Sequence, residues 1–196
     1  MLRLAFVLCA FLLCAACSEP PQKELDRAQG AIDAARAAGA DQYASEPFTA
    51  ATSALRQAHE AVEQRDYRLA LSHALESSER AQEAARSAAD GKVAARSRVE
   101  AMLKAADGAL RQLQARLKSA DAAKVAGKDL RPAHTTATNA ATAVQKARAA
   151  MEGGKYLEAS DGLKGVREGI ETQIRAVDQQ VAARQARAAR RRPAGH

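Results

Sequence analysis

Apolar and small residues along this chain return at steps of three and four, the rhythm of helices that bury one face. Leu25, Ala28, Ile32 and Ala35 make one stripe, and Phe48, Ala51, Leu55, Ala58 and Val62 make a second. A longer pattern over 67–126 takes Leu71, Ala74, Ala81, Ala85 and Ala88. It continues through Val99, Leu103, Ala106, Leu110, Leu113 and Leu117, where the steps are briefly those of a coiled coil. A fourth stripe holds Ala133, Ala137, Ala140, Val144, Ala147 and Met151. A fifth runs from Tyr156 through Ala159, Leu163, Val166, Ile170, Ile174 and Val177 to Val181. No stretch alternates with period two, so no strand is expected.

Punctuation divides these stripes. Gly39 predicts a helix stop, 40–45 a loop, and Ser45-Glu46-Pro47 a cap with proline in the first turn. The turn at 64–66 is short enough to fold the next helix back antiparallel. Asp90-Gly91 is the expected weak point of the long pattern, because glycine costs about 1 kcal/mol in a helix relative to alanine. Gly127 predicts the end of that helix, with a second proline loop running to Arg131-Pro132, and Gly153-Gly154 predicts the last turn.

The chain also repeats itself. The segment around Tyr67 and Ala70 returns around Tyr156 and Ala159, 89 residues later, and Asp33 to Asp41 returns as Asp121 to Asp129 at an offset of 88. A repeat of this length sets an architecture rather than a chemistry. The expected fold is all-α: elongated antiparallel helical hairpins, with two tandem three-helix units sharing one long central helix. The first unit is expected over 23–91 and the second over 92–183, followed by an arginine-rich tail over 184–196.

The N-terminus reads differently. Met1-Leu2-Arg3 precedes an apolar run from Leu4 to Leu13, too short to span a bilayer, which takes about 20 residues. It fits a secretory leader, 1–16. The leader ends in Leu13-Cys14-Ala15-Ala16-Cys17-Ser18, which resembles the bacterial lipobox, with Cys14 standing where that pattern usually has leucine. The resemblance implies cleavage before Cys17 and acylation of its thiol, leaving 17–22 as an acylated terminus and a proline-rich tether. The other reading is an ordinary cleaved leader and an unanchored product. Ser18, where inner-membrane retention typically uses aspartate, implies the periplasmic face of an outer membrane. Loss of Cys9 and Cys14 with the leader leaves no thiol for a disulfide, redox pair or metal site.

Composition narrows the chemistry further. The 196 residues are 47% hydrophobic but only 3% aromatic, so the core must be largely alanine and leucine. Formal charge is +7; without Arg3 it is +6, and Arg184, Arg187, Arg190, Arg191 and Arg192 account for five of those charges. The body is therefore nearly neutral, and the basic character belongs to the tail. That tail is either a solubilising segment or a surface for an acidic protein, peptidoglycan or anionic lipid. Its alanine–arginine spacing could also extend the fifth helix. An envelope location removes nucleic acid as a partner.

Tyr67 and Tyr156 read chiefly as packing wedges with a polar tip, each set one helical turn before alanine, and secondarily as lips of a binding groove. His59 and His73 flank the Tyr67 turn and could face each other, but no further ligand is spaced to complete a metal site. No nucleophile motif and no glycine-rich loop after a strand is present, so no catalytic residue and no cofactor is expected.

The pieces AIDAARAAGADQYA, EPF and AHEAVEQRDYRLA, over 31–70, resemble the alanine-rich helical bacterial lipoproteins catalogued as domain of unknown function 4398. Ser45-Glu46-Pro47 departs from the alanine-proline usual there. The resemblance implies a helical envelope lipoprotein and supplies no catalytic residues. The expected function is thus a non-enzymatic structural or adaptor lipoprotein, anchored at Cys17. A periplasmic carrier or chaperone for lipid or unfolded client is the alternative, and a cell-wall hydrolase a third class.

Overall fold

The computed structural model describes residues 19–191. They form seven helices and no strand: α1 (Gln22–Ala37), α2 (Ala40–Tyr43), α3 (Ser45–Glu63), α4 (Tyr67–Ala122), α5 (Gly127–Glu152), α6 (Tyr156–Leu163) and α7 (Val166–Arg191). The chain divides into two compact units between Gly91 and Lys92, and α4 contributes to both.

In the first unit, α1, α3 and the first part of α4 close around Leu25, Ile32 and Leu55, with alanine filling most other core positions. Leu25, Ala28, Ile32 and Ala35 are all buried, as their spacing requires. On α4 the buried face is Ala70, Ala74, Ser77, Ala81, Ala84 and Ala88. Leu71, expected on that face, is exposed together with Leu69 and Leu75. Small side chains win the inner positions because they let helices approach closely, and the Ser77 hydroxyl uses that proximity. It donates to the carbonyl of Ala51 on α3, 2.9 Å away, and so meets the need of a buried polar group for a partner.

Three boundaries differ from the sequence expectation in this unit. Residues 40–43 are a short helix rather than loop, entered through Gly39 at φ 87°. Ser45 is not a cap: α3 already begins there, Ala44 precedes it, and no side chain caps the end. Pro47 then falls third in the helix, where its missing N–H would have had no intrahelical partner anyway. Most telling, α4 does not break at Asp90-Gly91. A Cβ on Gly91 would lie 2.7 Å from the carbonyl oxygen of Tyr43, so the glycine serves close packing rather than a bend.

The second unit has two clusters. Val99, Leu103 and Ala106 of α4 pack with Val144 and Ala147 of α5 and with Ala159 and Leu163 of α6. Leu113, Leu117 and Ala120 of α4 pack with Leu130 and Ala133 of α5 and with Ile170 and Val177 of α7. Ion pairs Arg148–Asp107 and Arg116–Asp178 tie α5 and α7 to α4 at the surface.

Boundaries shift here too. The long helix stops at Ala122, with Lys124 at φ 55°, whereas Gly127 opens α5 instead of closing α4. Pro132 lies inside α5 rather than in a loop, where it removes one backbone bond near the helix start; burial of Leu130 and Ala133 on either side holds the helix on the core. The fifth stripe is two helices. Lys164 at φ −58°, ψ 129° and Gly165 at φ 71° have the dihedrals of a type II turn, whose third position favours glycine.

Candidate functional site

The lipidation candidate Cys17 and the leader lie outside the described residues, as does Arg192 of the tail. The helical body begins at Gln22, directly after Pro20 and Pro21. No helix among the described residues is long and apolar enough to cross a membrane.

The repeated turn is one local structure made twice. In the first copy Gln64 donates to Glu60, Arg65 to Val62, Asp66 to Ala61 and Ala70 to Asp66; in the second Gly153 donates to Ala149, Gly154 to Met151, Lys155 to Ala150 and Ala159 to Lys155. Every donor and acceptor is displaced by 89 residues, the offset seen in sequence. Both turns close with a left-handed residue, Arg65 at φ 59° and Gly154 at φ 73°, which satisfies the last carbonyls of the preceding helix. Tyr67 and Tyr156 are half-buried while Ala70 and Ala159 are fully buried beneath them. Asp66 caps α4 by accepting from the amide of Leu69; Lys155, its counterpart, has no such capping bond. Tyr156 packs on the Val99–Leu163 cluster.

The two histidines have different neighbours. His59 lines a shallow groove with Gln29, Ile32 and Arg36 of α1, whereas His73 lies 3.7 Å from Glu76 on its own helix. Among the described residues no cluster of three His, Cys, Asp or Glu side chains could hold a metal.

Two clefts in the second unit gather charge that the sequence reading did not assemble. One, of ≈ 460 Å³, opens at the α6–α7 turn. Its floor is Ala101, Met102, Ala105, Ala106 and Leu163, and its rim is Arg98, Lys164, Arg167 and Glu168. Lys164 is paired with Asp161 at 2.6 Å and Arg167 with Glu171 at 2.6 Å; the Glu171 hydrogen bond and charge hold the Arg167 guanidinium above its ordinary value. The sequence signal for this cleft was Gly165 inside an otherwise helical pattern, where glycine costs about 1 kcal/mol relative to alanine.

The other cleft, of ≈ 310 Å³, joins the 123–126 loop to the last turns of α7. It is lined by Lys124, Val125, Ala126, Asp129, Gln180, Ala183, Arg184 and Arg187. Two tail arginines thus meet a lysine from a different element, while Arg190 is exposed on α7 outside this lining. Lys124 occupies a left-handed conformation that costs a non-glycine residue about 1 kcal/mol. The ends of α3 and α5 close with the same three backbone bonds, and there Arg65 and Gly154 take that position. Replacing Lys124 with glycine is accordingly expected to raise the melting temperature of the second unit by a few degrees, read by circular dichroism.

Residues 23–102 match the model of a domain of unknown function (DUF4398). No curated protein and no solved structure matches the chain. The match takes in α1 to α3 and α4 as far as residue 102, so it covers the Tyr67 turn but neither the Tyr156 turn nor the Lys124 cleft. Over residues 23–102 the chain is thus similar to the family described as domain of unknown function 4398.

Proposed function

We propose that this chain is a non-enzymatic cell-envelope lipoprotein, held to the membrane by acyl chains on Cys17, whose helical units act as a structural or adaptor element in the periplasm. The observation that carries the proposal is Cys17 itself, preceded by small residues and an apolar leader and followed within five positions by the first helix. Several buried acyl chains, at about 0.8 kcal/mol per CH₂, would make such an anchor firm. Ser18 supports outer-membrane sorting. The arginine-bearing end of α7 is the surface proposed to meet an envelope protein, peptidoglycan or anionic lipid.

Growth with radiolabelled palmitate tests the anchor. The chain is expected to take up label and fractionate with outer membrane, and Cys17→Ser to take up none. If the unaltered chain stays unlabelled while a known lipoprotein in the same cells is labelled, the anchor is lost and the proposal with it. Photocrosslinking from exposed positions of α7 then identifies the partner, with one dominant envelope protein expected for an adaptor.

A carrier role is the second reading, favoured by the cleft at Lys164-Gly165. Its alanine, methionine and leucine floor beneath a charged rim of Arg98, Lys164, Arg167 and Glu168 suits an acyl chain with a polar head. Native mass spectrometry of the chain purified from membranes is the check; absence of any co-purifying lipid counts against this reading.

A further inference from the structure

The cleft between the 123–126 loop and α7 holds cations in an arrangement that packing does not require. Arg184 and Arg187 sit one turn apart on the same helix, where like charges repel, and Lys124 faces them from the loop. Among the described residues none of the three has an ion-pair partner, although Arg116, Arg148 and Arg167 elsewhere in the unit each have a carboxylate. We infer that this cleft binds a dianionic phosphate group, with Lys124, Arg184 and Arg187 as its ligands. The inference narrows the proposed role of the tail as an anionic-partner surface and rests on that reading.

Charge balance selects the dianion. Three cations and the single carboxylate of Asp129 leave the cleft with +2, the complement of a phosphate monoester near neutral pH. Two guanidinium forks and one ammonium can engage separate phosphate oxygens by charge-assisted hydrogen bonds. The residue before α5, Ala126, offers no side-chain cap, so first-turn amides add positive potential to the same cleft. The left-handed Lys124 fits this use. The turns with the same three bonds take Arg65 and Gly154, so the backbone there does not itself require lysine, and lysine at 124 puts a cation on the cleft lining. A soluble phosphate ester and a lipid headgroup share this chemistry.

The test uses the full chain in phosphatidylcholine nanodiscs, titrated calorimetrically with glycerol 3-phosphate at low salt. Saturable binding is expected, weakened about tenfold by Lys124→Gly and by Arg187→Gln, as loss of one charge-assisted contact implies. Lys146→Gln, a surface lysine about 25 Å away along α5, is expected to bind like the unaltered chain. Because Lys124→Gly relieves a backbone cost, its melting temperature should not fall, which separates lost binding from lost folding. Vesicles containing phosphatidic acid form the second arm. If they displace glycerol 3-phosphate the ligand is a lipid headgroup, and if they do not it is a soluble ester; either supports the site. No saturable binding of either probe, or equal weakening by Lys146→Gln, overturns it. Palmitate labelling does not depend on this cleft, so failure here and failure of the anchor are told apart.

Discussion

Replacing Gly91 with alanine is expected to destabilise the first unit by about 2 kcal/mol, although the same change in an isolated helix would stabilise it by about 1 kcal/mol. The reversal comes from the Tyr43 carbonyl oxygen, which would stand 2.7 Å from the new Cβ, with the Tyr43 Cβ at 3.2 Å. These are parts of or next to backbone, and backbone cannot swing aside as a long side chain can. Either α4 moves outward, loosening alanine contacts that depend on close approach, or the short α2 is displaced. Gly108 supplies the control on the same helix: a Cβ there meets nothing within 4 Å, so Gly108→Ala should gain up to about 1 kcal/mol. Urea denaturation with amide exchange over residues 40–44 and 88–92 compares the two. Equal stability of the two variants would mean that Gly91 is not a packing contact.

That pair of glycines also marks how far the sequence could be read. Helix faces were legible at several recurring leucine, isoleucine and valine positions: Leu25 and Ile32, Leu103 and Leu113, Ile170 and Val177 all reach the core. Alanine-only stretches were ambiguous, since alanine suits either face. On the first part of α4 Ala74, Ala81 and Ala88 reach the core as expected, but Leu71 does not, and Ser77 takes a core position. At Gly91 the local cost of glycine was visible, but the reason for it was 48 residues upstream. Gly39 and Gly127 looked equivalent in the repeat, yet the left-handed turn fell on Lys124, because a few residues of helix cost little and the core decides where one ends. Lys164-Gly165 passed unnoticed because Leu163, Val166 and Ile170 keep helical spacing across the turn. The tail arginines stood out as charge; their meeting with Lys124 depends on tertiary packing of α7, which no local pattern records.

The packing of α7 also governs the largest expected effect. Ile170→Ala should cost about 3 kcal/mol, within the range of 2–5 for buried Ile or Leu truncated to alanine. Ile170 is fully buried and packs in the cluster of Leu113, Leu117 and Leu130. That cluster holds α7 onto α4 and α5, and Val177 is the other fully enclosed aliphatic residue that α7 contributes. The surface pair Arg116–Asp178 is exposed on both sides and so adds little. Few large side chains share the load, and alanine neighbours cannot grow into the cavity left behind. Loss at Ile170 should therefore appear first as release of α7, before the Val99–Leu163 cluster, to which α7 adds only Val166, partly buried at its first residue. Hydrogen exchange is expected to show α7 amides losing protection while those of 144–151 keep theirs, and binding at the Lys124 cleft should weaken with α7 although no ligand residue has changed. Uniform loss of protection across the second unit would instead mean that its two clusters fold as one, and that the arginine-bearing helix has no independent docking equilibrium.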